Sequence, residues 1–278
     1  MRFYRILNLL SIDVALGAIV AAALFGRILQ VSILPQGFTL LGITVWLIYT
    51  ADHLLDAWSM REAATSERHS FHQKHFMTIL LVFIAVSIVA LGLMFMIRIQ
   101  LITTGIFFGA FVIAYLLVSR WLKYFKELAG SLLYTGGVLL PAWSLNTNGL
   151  SDYQFMLIII FALIAFTNML IFARFSMEED IMNRQKSLAT TMGVRPINTL
   201  IHIVCVICFS VILYAAIIAF TPELIIMLIM ELILVVIFIV KYFRYDDRYR
   251  LYGDAIFLLP AILLIAPRLP GATSLFLP

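Results

Sequence analysis

Charged residues are scarce in this sequence, which has 278 residues of which 12% are charged and 63% hydrophobic. A water-soluble domain carries roughly a quarter charged residues, so water is not the main solvent of this chain. The mean hydropathy is +1.06, and runs without any charge recur along the whole length. These features exclude an ordinary soluble enzyme and indicate an integral membrane protein.

Cysteine is almost absent, since the chain has only Cys205 and Cys208, both inside one apolar run. The pair has no neighbouring βαβ pattern and no electropositive surroundings, so we interpret it as two small buried side chains and not as a redox motif. The sequence also shows no soluble appendage and no evident protein partner. Its excess of basic residues is explained by membrane topology and site chemistry, and implies no nucleic-acid partner.

The apolar runs predict one polytopic membrane domain, residues 1–278, with about nine transmembrane helices. Most runs approach or exceed the ~18–20 residues that an apolar helix needs to cross a bilayer, and helices are expected because lipid cannot hydrogen-bond an exposed backbone. Arg2 and Arg5 precede the first run without a cleavage site, so we expect a first span and not a cleaved signal. The ninth run is the shortest and carries Pro260. The predicted spans are 6–26, 36–58, 76–97, 99–119, 128–145, 153–173, 197–220, 223–242 and 251–267.

The basic residues predict the orientation of these spans. With the N-terminus in the cytosol, all 19 Lys and Arg residues lie on the cytosolic side except Arg27, Arg98 and Arg268. Cytosolic loops are the ones that accumulate basic residues. We therefore expect an inner- or plasma-membrane protein with a cytosolic N-terminus, its polar chemistry on the cytosolic side, and its C-terminus outside.

Two carboxylates stand at the cytosolic end of the second predicted span. Asp52 and Asp56 are four residues apart, which places both on one helical face with Cβ atoms ~6 Å apart. A solvated helix end is the alternative interpretation. It is weakened because the apolar run 46–51 leads directly into Asp52 and keeps it near membrane depth, where acidic residues are usually functional.

A second acidic segment follows the sixth predicted span. It comprises Ser176, Glu178, Glu179 and Asp180, and Lys186 follows shortly after. Between the two acidic segments in sequence lies a basic group formed by Arg120, Lys123 and Lys126. Mg²⁺ bridges carboxylates to phosphate oxygens, and Lys and Arg bind the remaining phosphate charge, so the pattern favours a diphosphate ligand. The positive-inside rule alone is the alternative explanation of the basic group.

These residues resemble the motifs of the UbiA-type intramembrane prenyltransferases, over essentially the whole chain. In that family the second helix ends in Asn-x-x-x-Asp-x-x-x-Asp, whose two aspartates match Asp52 and Asp56. Asp180 with the dipeptide 186–187 matches the second motif and the Lys-Ser/Thr after it. The family's Tyr-x-x-x-Lys is echoed by Ser119-x-x-x-Lys123, and residues 136–141 look like its fifth helix.

Three positions depart from the family pattern. Ile48 replaces the motif asparagine, Ser176 replaces the first aspartate of the second motif, and Ser119 replaces the tyrosine. At most three of the four family aspartates are therefore present, with Glu178 or Glu179 as candidate substitutes.

The resemblance implies an all-α bundle around a central cavity open to the cytosolic side. It also implies Mg²⁺-dependent transfer of a polyprenyl group from an isoprenyl diphosphate to a lipophilic or aromatic acceptor, with release of diphosphate. By this resemblance the catalytic residues are Asp52, Asp56, Asp180, Lys123 and Lys186. The substrate-binding candidates are Arg68, Arg120, Lys126, Asp13, Ser119 and Ser176, and the metal ligands are Asp52, Asp56, Asp180 and Glu179.

Two other functions remain open on the sequence. Glu231 lies near mid-membrane, where a proton-coupled transporter would place a titratable acid. The other is a catalytically degenerate relative that only binds isoprenoid lipid.

A transition-metal site is a further interpretation, suggested by the histidines at His69, His72 and His75, with His53 nearby. Helical spacing, however, would spread the side chains of the first three over too wide an arc to bind one metal ion. A basic loop near the lipid headgroups is the simpler interpretation.

Overall fold

The computed structural model describes residues 2–59, 67–119, 121–122, 124–183 and 185–265. Within these ranges the regular structure is entirely helical. The helices are α1 (Arg2–Leu9), α2 (Ile12–Ile28), α3 (Pro35–Ser59), α4 (Glu67–Lys74), α5 (Phe76–Met94), α6 (Ile99–Val118), α7 (Lys126–Leu145), α8 (Asp152–Phe175), α9 (Met177–Met182), α10 (Leu188–Met192), α11 (Val194–Ile218), α12 (Pro222–Ile239), α13 (Arg248–Ala255) and α14 (Ala261–Ile265), with 3₁₀ turns at Lys241–Arg244 and Ile256–Leu258.

Seven helices of the described chain are long and apolar enough to cross a bilayer: α3, α5, α6, α7, α8, α11 and α12. The all-helical membrane architecture is therefore confirmed, whereas the predicted count of nine is not. The two remaining predicted spans are interrupted, each for a local reason.

The first predicted span is broken at Ser11, whose φ of 55° is left-handed. An L-residue in that conformation cannot continue a right-handed helix, so α1 ends at Leu9 and α2 starts at Ile12. The indole of Trp46 in α3 donates to the carbonyl oxygen of Leu10 at 2.9 Å, which satisfies a backbone group that the break exposes. The 17 residues of α2 span ~26 Å at the helical rise of 1.5 Å per residue.

The last predicted span, 251–267, is replaced in the described chain by α13, a 3₁₀ turn and α14. Pro260 lies between the turn and α14, and proline lacks the N–H that would continue the helical hydrogen bonds. The chain after 265 lies outside the described residues. This segment packs on α2 and also contacts α12, so it joins an early helix of the chain to a late one.

Helix α8 lies at the centre of the packing, in contact with α7, α11 and α12. Its side chains Ile160, Phe161 and Ile164 are fully buried. In contrast, α5 and α6 are peripheral and expose large apolar side chains such as Ile88 and Phe107. Broad apolar exposure of this kind suits contact with lipid rather than with water.

Because consecutive spans alternate in direction, the C-terminal ends of α3, α6 and α8 lie at the same end of the bundle as the N-terminal end of α7. The hydrogen bond between Glu127 at the start of α7 and Leu188 after α9 ties two of these segments together. The contact between Asp56, near the end of α3, and Gln185 joins α3 to the segment that follows α9. One end of the bundle therefore collects both acidic segments.

Candidate functional site

The acidic end of α3 contacts the polar segment that follows α9. Asp52 and Asp56 lie one turn apart in the last part of α3, and both are half-buried. The side-chain amide of Gln185 reaches Oδ2 of Asp56 at 3.4 Å, although the two residues are 129 positions apart. The two acidic segments predicted to share a site are thus neighbours in the structure.

Asp180 is held at the second acidic segment by the residues around it. Its backbone N–H donates to the Ser176 carbonyl oxygen at 2.9 Å, and the Ser176 hydroxyl donates to Asp180 Oδ2 at 3.3 Å. Burial raises the pKa of Asp180, and this effect outweighs the lowering by Ser187, Arg250, Lys126 and Ser176. A bound cation would offset the cost of keeping this half-buried carboxylate ionised.

The segment after α9 folds back toward Asp180. The backbone N–H of Gln185 donates to the carbonyl oxygen of Asp180 at 2.7 Å. Ser187 then caps α10, exchanging reciprocal hydrogen bonds with Thr190. Lys186 lies between these two anchored positions and is exposed, so its amine is presented at the acidic end of the bundle.

Two residues at this end were not anticipated as site residues. The hydroxyl of Tyr115 donates to the Lys126 carbonyl oxygen at 3.3 Å and lies within electrostatic range of the Asp52 and Glu127 carboxylates. Glu127 accepts the backbone N–H of Leu188 at 2.8 Å and lies within electrostatic range of Asp180. The sequence signals for them were a tyrosine one turn before Ser119 and an acid directly after the basic group.

A further cation reaches the second acidic segment from α13. Arg250 lies 3.9 Å from Oε2 of Glu179 and donates to the Tyr249 hydroxyl at 3.0 Å. Its charge also acts on Asp180. Glu179, predicted as a metal ligand, is thus paired with a guanidinium, and Arg250 joins Lys126 as a cation of the site.

The remaining predicted residues fall elsewhere or outside the described chain. Ser119 donates to the Leu116 carbonyl oxygen of its own helix at 3.1 Å. Asp13 belongs to a different buried cluster, in which the amide of Asn8 donates to Asp13 at 2.6 Å and to Asp254 at 2.9 Å. Arg120, Lys123 and the side chain of Arg68 lie outside the described residues.

Glu231 and the cysteines form a separate buried group among α8, α11 and α12. Glu231 is 0% exposed, and the Thr167 hydroxyl lies 3.4 Å from its Oε1. Cys205 and Cys208 are buried and free, which confirms their interpretation as small core side chains. Glu231 therefore has a hydrogen-bonding partner within the core that the sequence did not indicate.

The histidines do not assemble with acids or cysteines around a metal in the described part of the chain. The rings of His53 and His72 lie 4.9 Å apart, and no group of three His, Cys, Asp or Glu side chains converges there. The side chain of His69 is outside the described set.

The donors at the acidic end fit Mg²⁺ by their chemistry. They are carboxylate oxygens on facing segments, and a hard cation prefers such ligands. Among described residues, the buried Oε2 of Glu127 has no hydrogen-bond partner, so an oxygen acceptor remains available. Mg²⁺ is commonly held by one or two carboxylates together with water and substrate phosphates. No three His, Cys, Asp or Glu side chains of the described chain converge here either, and this mode of Mg²⁺ binding does not require three protein ligands.

Comparison with known proteins identifies the fold. No family model matches this chain. No curated protein matches it either. The chain is similar to the solved structure of a UbiA homolog from Archaeoglobus fulgidus bound to GPP and Mg²⁺, with a TM-score of 0.67 and 14% identity, covering 92% of this chain and 96% of that one. A UbiA homolog structure from the same organism bound to DMAPP and Mg²⁺ has a TM-score of 0.64 and 12% identity, covering 94% and 99%. The chain therefore has a UbiA-type fold, as the motif resemblance implied.

Proposed function

We propose that this protein is a membrane prenyltransferase that moves a polyprenyl group from an isoprenyl diphosphate to a lipophilic or aromatic acceptor. The observation that carries the proposal is the contact between the acidic segments, made by Gln185 and Asp56, in a chain with a UbiA-type fold. The solved neighbours were bound to isoprenyl diphosphates and Mg²⁺, the ligand type that opposed acids and cations suit.

In this proposal Asp52, Asp56 and Asp180 hold the cation that accompanies the diphosphate. When bound, Mg²⁺ would neutralise part of the negative charge of the diphosphate. Lys126, Arg250 and the exposed Lys186 add positive charge at the same end, and electrostatic stabilisation of a leaving anion is commonly a large part of catalysis. Arg68, Arg120 and Lys123 stay in the proposal as phosphate contacts.

The reaction is a substitution at an allylic carbon. The C–O bond to the diphosphate breaks with both electrons staying on oxygen, which leaves an allylic cation. An electron pair of the acceptor then forms the new bond, and the acceptor loses a proton. The apolar prenyl chain would lie along the hydrophobic interior or the lipid.

We also propose that the acidic end faces the cytosol and that the protein resides in the inner or plasma membrane. Basic residues concentrate in the connections at that end, and such a bias sets orientation in most membrane proteins.

The test is binding of labelled GPP to purified protein across a Mg²⁺ titration, together with release of diphosphate. Replacement of Asp56 by Asn, or of Asp52 by Asn, should weaken Mg²⁺-dependent binding at least ~10-fold, since a lost charge-assisted contact is worth ~1.5–3 kcal/mol. Asp152→Asn is the matched control, because this exposed aspartate begins α8 at the opposite end of the bundle. Equal binding by the wild type with metal and with chelator would remove the basis of the proposal.

Diphosphate release, together with uptake into vesicles, separates the two alternatives from the proposal. A proton-coupled transporter that relies on Glu231 predicts that Glu231→Gln abolishes pH-dependent uptake into vesicles, while no diphosphate is released. A degenerate isoprenoid-binding protein would bind GPP with Mg²⁺ and release no diphosphate in the presence of any acceptor supplied.

A further inference from the structure

Glu127 is a buried acid at the acidic end of the bundle with one unsatisfied oxygen. The residue is 7% exposed and lies in the first turn of α7. Its Oε1 accepts the Leu188 N–H at 2.8 Å, whereas Oε2 has no hydrogen-bond partner among described residues. A buried carboxylate oxygen without a partner is costly. A purely structural cap for Leu188 needs one oxygen and does not explain the second.

Glu127 lies beside the second acidic segment and the residues that follow it. Asp180 lies within electrostatic range of Glu127 on one side. On another side the Tyr115 phenol lies within electrostatic range of both Glu127 and Asp52. Lys126, the preceding residue, is the described cation that acts on Glu127. Glu127 is therefore near Asp180, and it shares the Tyr115 phenol as a neighbour with Asp52.

The second acidic segment has a serine, and no carboxylate, four residues before Asp180. Ser176 stands four residues before Asp180, and its hydroxyl donates to Asp180 Oδ2. A serine at that position supports Asp180 but brings no negative charge. The segment therefore contributes one fewer charged oxygen donor than a pair of aspartates at this spacing would.

We propose that Glu127 is a cation-binding residue of this site, supplying from α7 through Oε2 the carboxylate that position 176 lacks. Through Oε1 the same side chain anchors residue 188 and so positions the preceding segment with Lys186. The proposal rests on the proposed function, because it takes the ligand to be a divalent cation accompanied by an isoprenyl diphosphate.

The test is the Mg²⁺ concentration that gives half-maximal GPP binding. Glu127→Gln keeps the size of the side chain and an oxygen that can accept the Leu188 N–H, and removes only the charge. The half-saturating Mg²⁺ concentration should rise about tenfold or more. In the double variant Glu127→Gln with Ser176→Asp, it should return toward the wild-type value, because the carboxylate is restored from the other segment. Direct Mn²⁺ binding, followed by electron paramagnetic resonance, should change in the same order without any turnover. Asp152→Asn serves as the control.

An unchanged Mg²⁺ titration in Glu127→Gln would overturn the inference, and so would a double variant that binds no better than the single one. Ser176→Asp alone is an independent arm should the Glu127 variant fail to fold. It should lower the half-saturating Mg²⁺ concentration, and no change would overturn the shared site. Failure of the proposed function is distinguishable, because then the wild type itself would show no metal-dependent GPP binding.

Discussion

Gly253 of helix α13 lies in tight contact with the central helix α8. A Cβ atom placed on Gly253 would lie 2.5 Å from Asn168 Oδ1 and 2.5 Å from Phe172 Cε1. Ordinary contacts between carbon atoms are ~3.5–4.0 Å, so Gly253→Ala requires a shift of ~1 Å. The Phe172 ring packs against Tyr249 with centroids 5.7 Å apart, which restricts its retreat.

The magnitude follows from two opposing effects. Overpacking of this kind costs ~1–3 kcal/mol, whereas alanine gains ~1 kcal/mol over glycine in a helix. We expect Gly253→Ala to be net destabilising by up to about 2 kcal/mol. Because α13 also carries Arg250, which lies beside Glu179, displacement of the helix should weaken GPP binding as well.

The assay is the apparent unfolding midpoint in detergent, measured alongside Mg²⁺-dependent GPP binding. Gly109→Ala in α6 is the matched control, since a Cβ there would meet nothing within 4 Å, and it should be neutral or slightly stabilising. If Gly253→Ala were as stable as the control and bound GPP equally well, the tight contact between α13 and α8 would be refuted.

Three further predictions address the pH dependence of stability, the orientation of the protein in the membrane, and the structural role of the Tyr115 hydroxyl. Burial raises the pKa of Asp180 above its ordinary 3.8, so the folded protein keeps a proton that the unfolded chain releases. With a chelator present, the free energy of unfolding should therefore decrease as the pH rises from 3.8 through the raised pKa of Asp180. Asp180→Asn should remove this decrease, as measured by melting curves at a series of pH values. Single cysteines at Gln185 and Asn148 should be labelled by an impermeant maleimide from opposite faces of the membrane, with the Gln185 side cytosolic; labelling from the same face would contradict the topology. Tyr115→Phe should lower the free energy of unfolding by no more than about 1 kcal/mol, because it removes one hydrogen bond, to the Lys126 carbonyl oxygen. A larger loss in chemical denaturation would show that the phenol has a wider structural role.

The membrane architecture could be inferred from the sequence because lipid leaves the backbone few choices. A long apolar run must form a helix there, so hydropathy and length alone predict a span over 76–97, where the structure has α5 at Phe76–Met94. The sequence did not predict the helix breaks at Ser11 and before α14, because each depends on a single residue within an otherwise apolar run. At Ser11 that residue has a left-handed backbone conformation, and before α14 it is a proline. Averaged hydropathy does not register such a local event.

The acidic pairs could likewise be anticipated, because spacing along one helix places Asp52 and Asp56 on a single face whatever surrounds them. Which other groups join them depends on how separate helices rotate and pack. Only the tertiary structure brings Tyr115 and Glu127 toward the acids and pairs Glu179 after α8 with Arg250 of α13. It also places Asp13 in a different cluster. The sequence by itself determined a helical membrane protein with acids at one end, since local periodicity and the solvent dictate both. The composition of the site was decided by tertiary packing, because its members come from helices that share no sequence spacing.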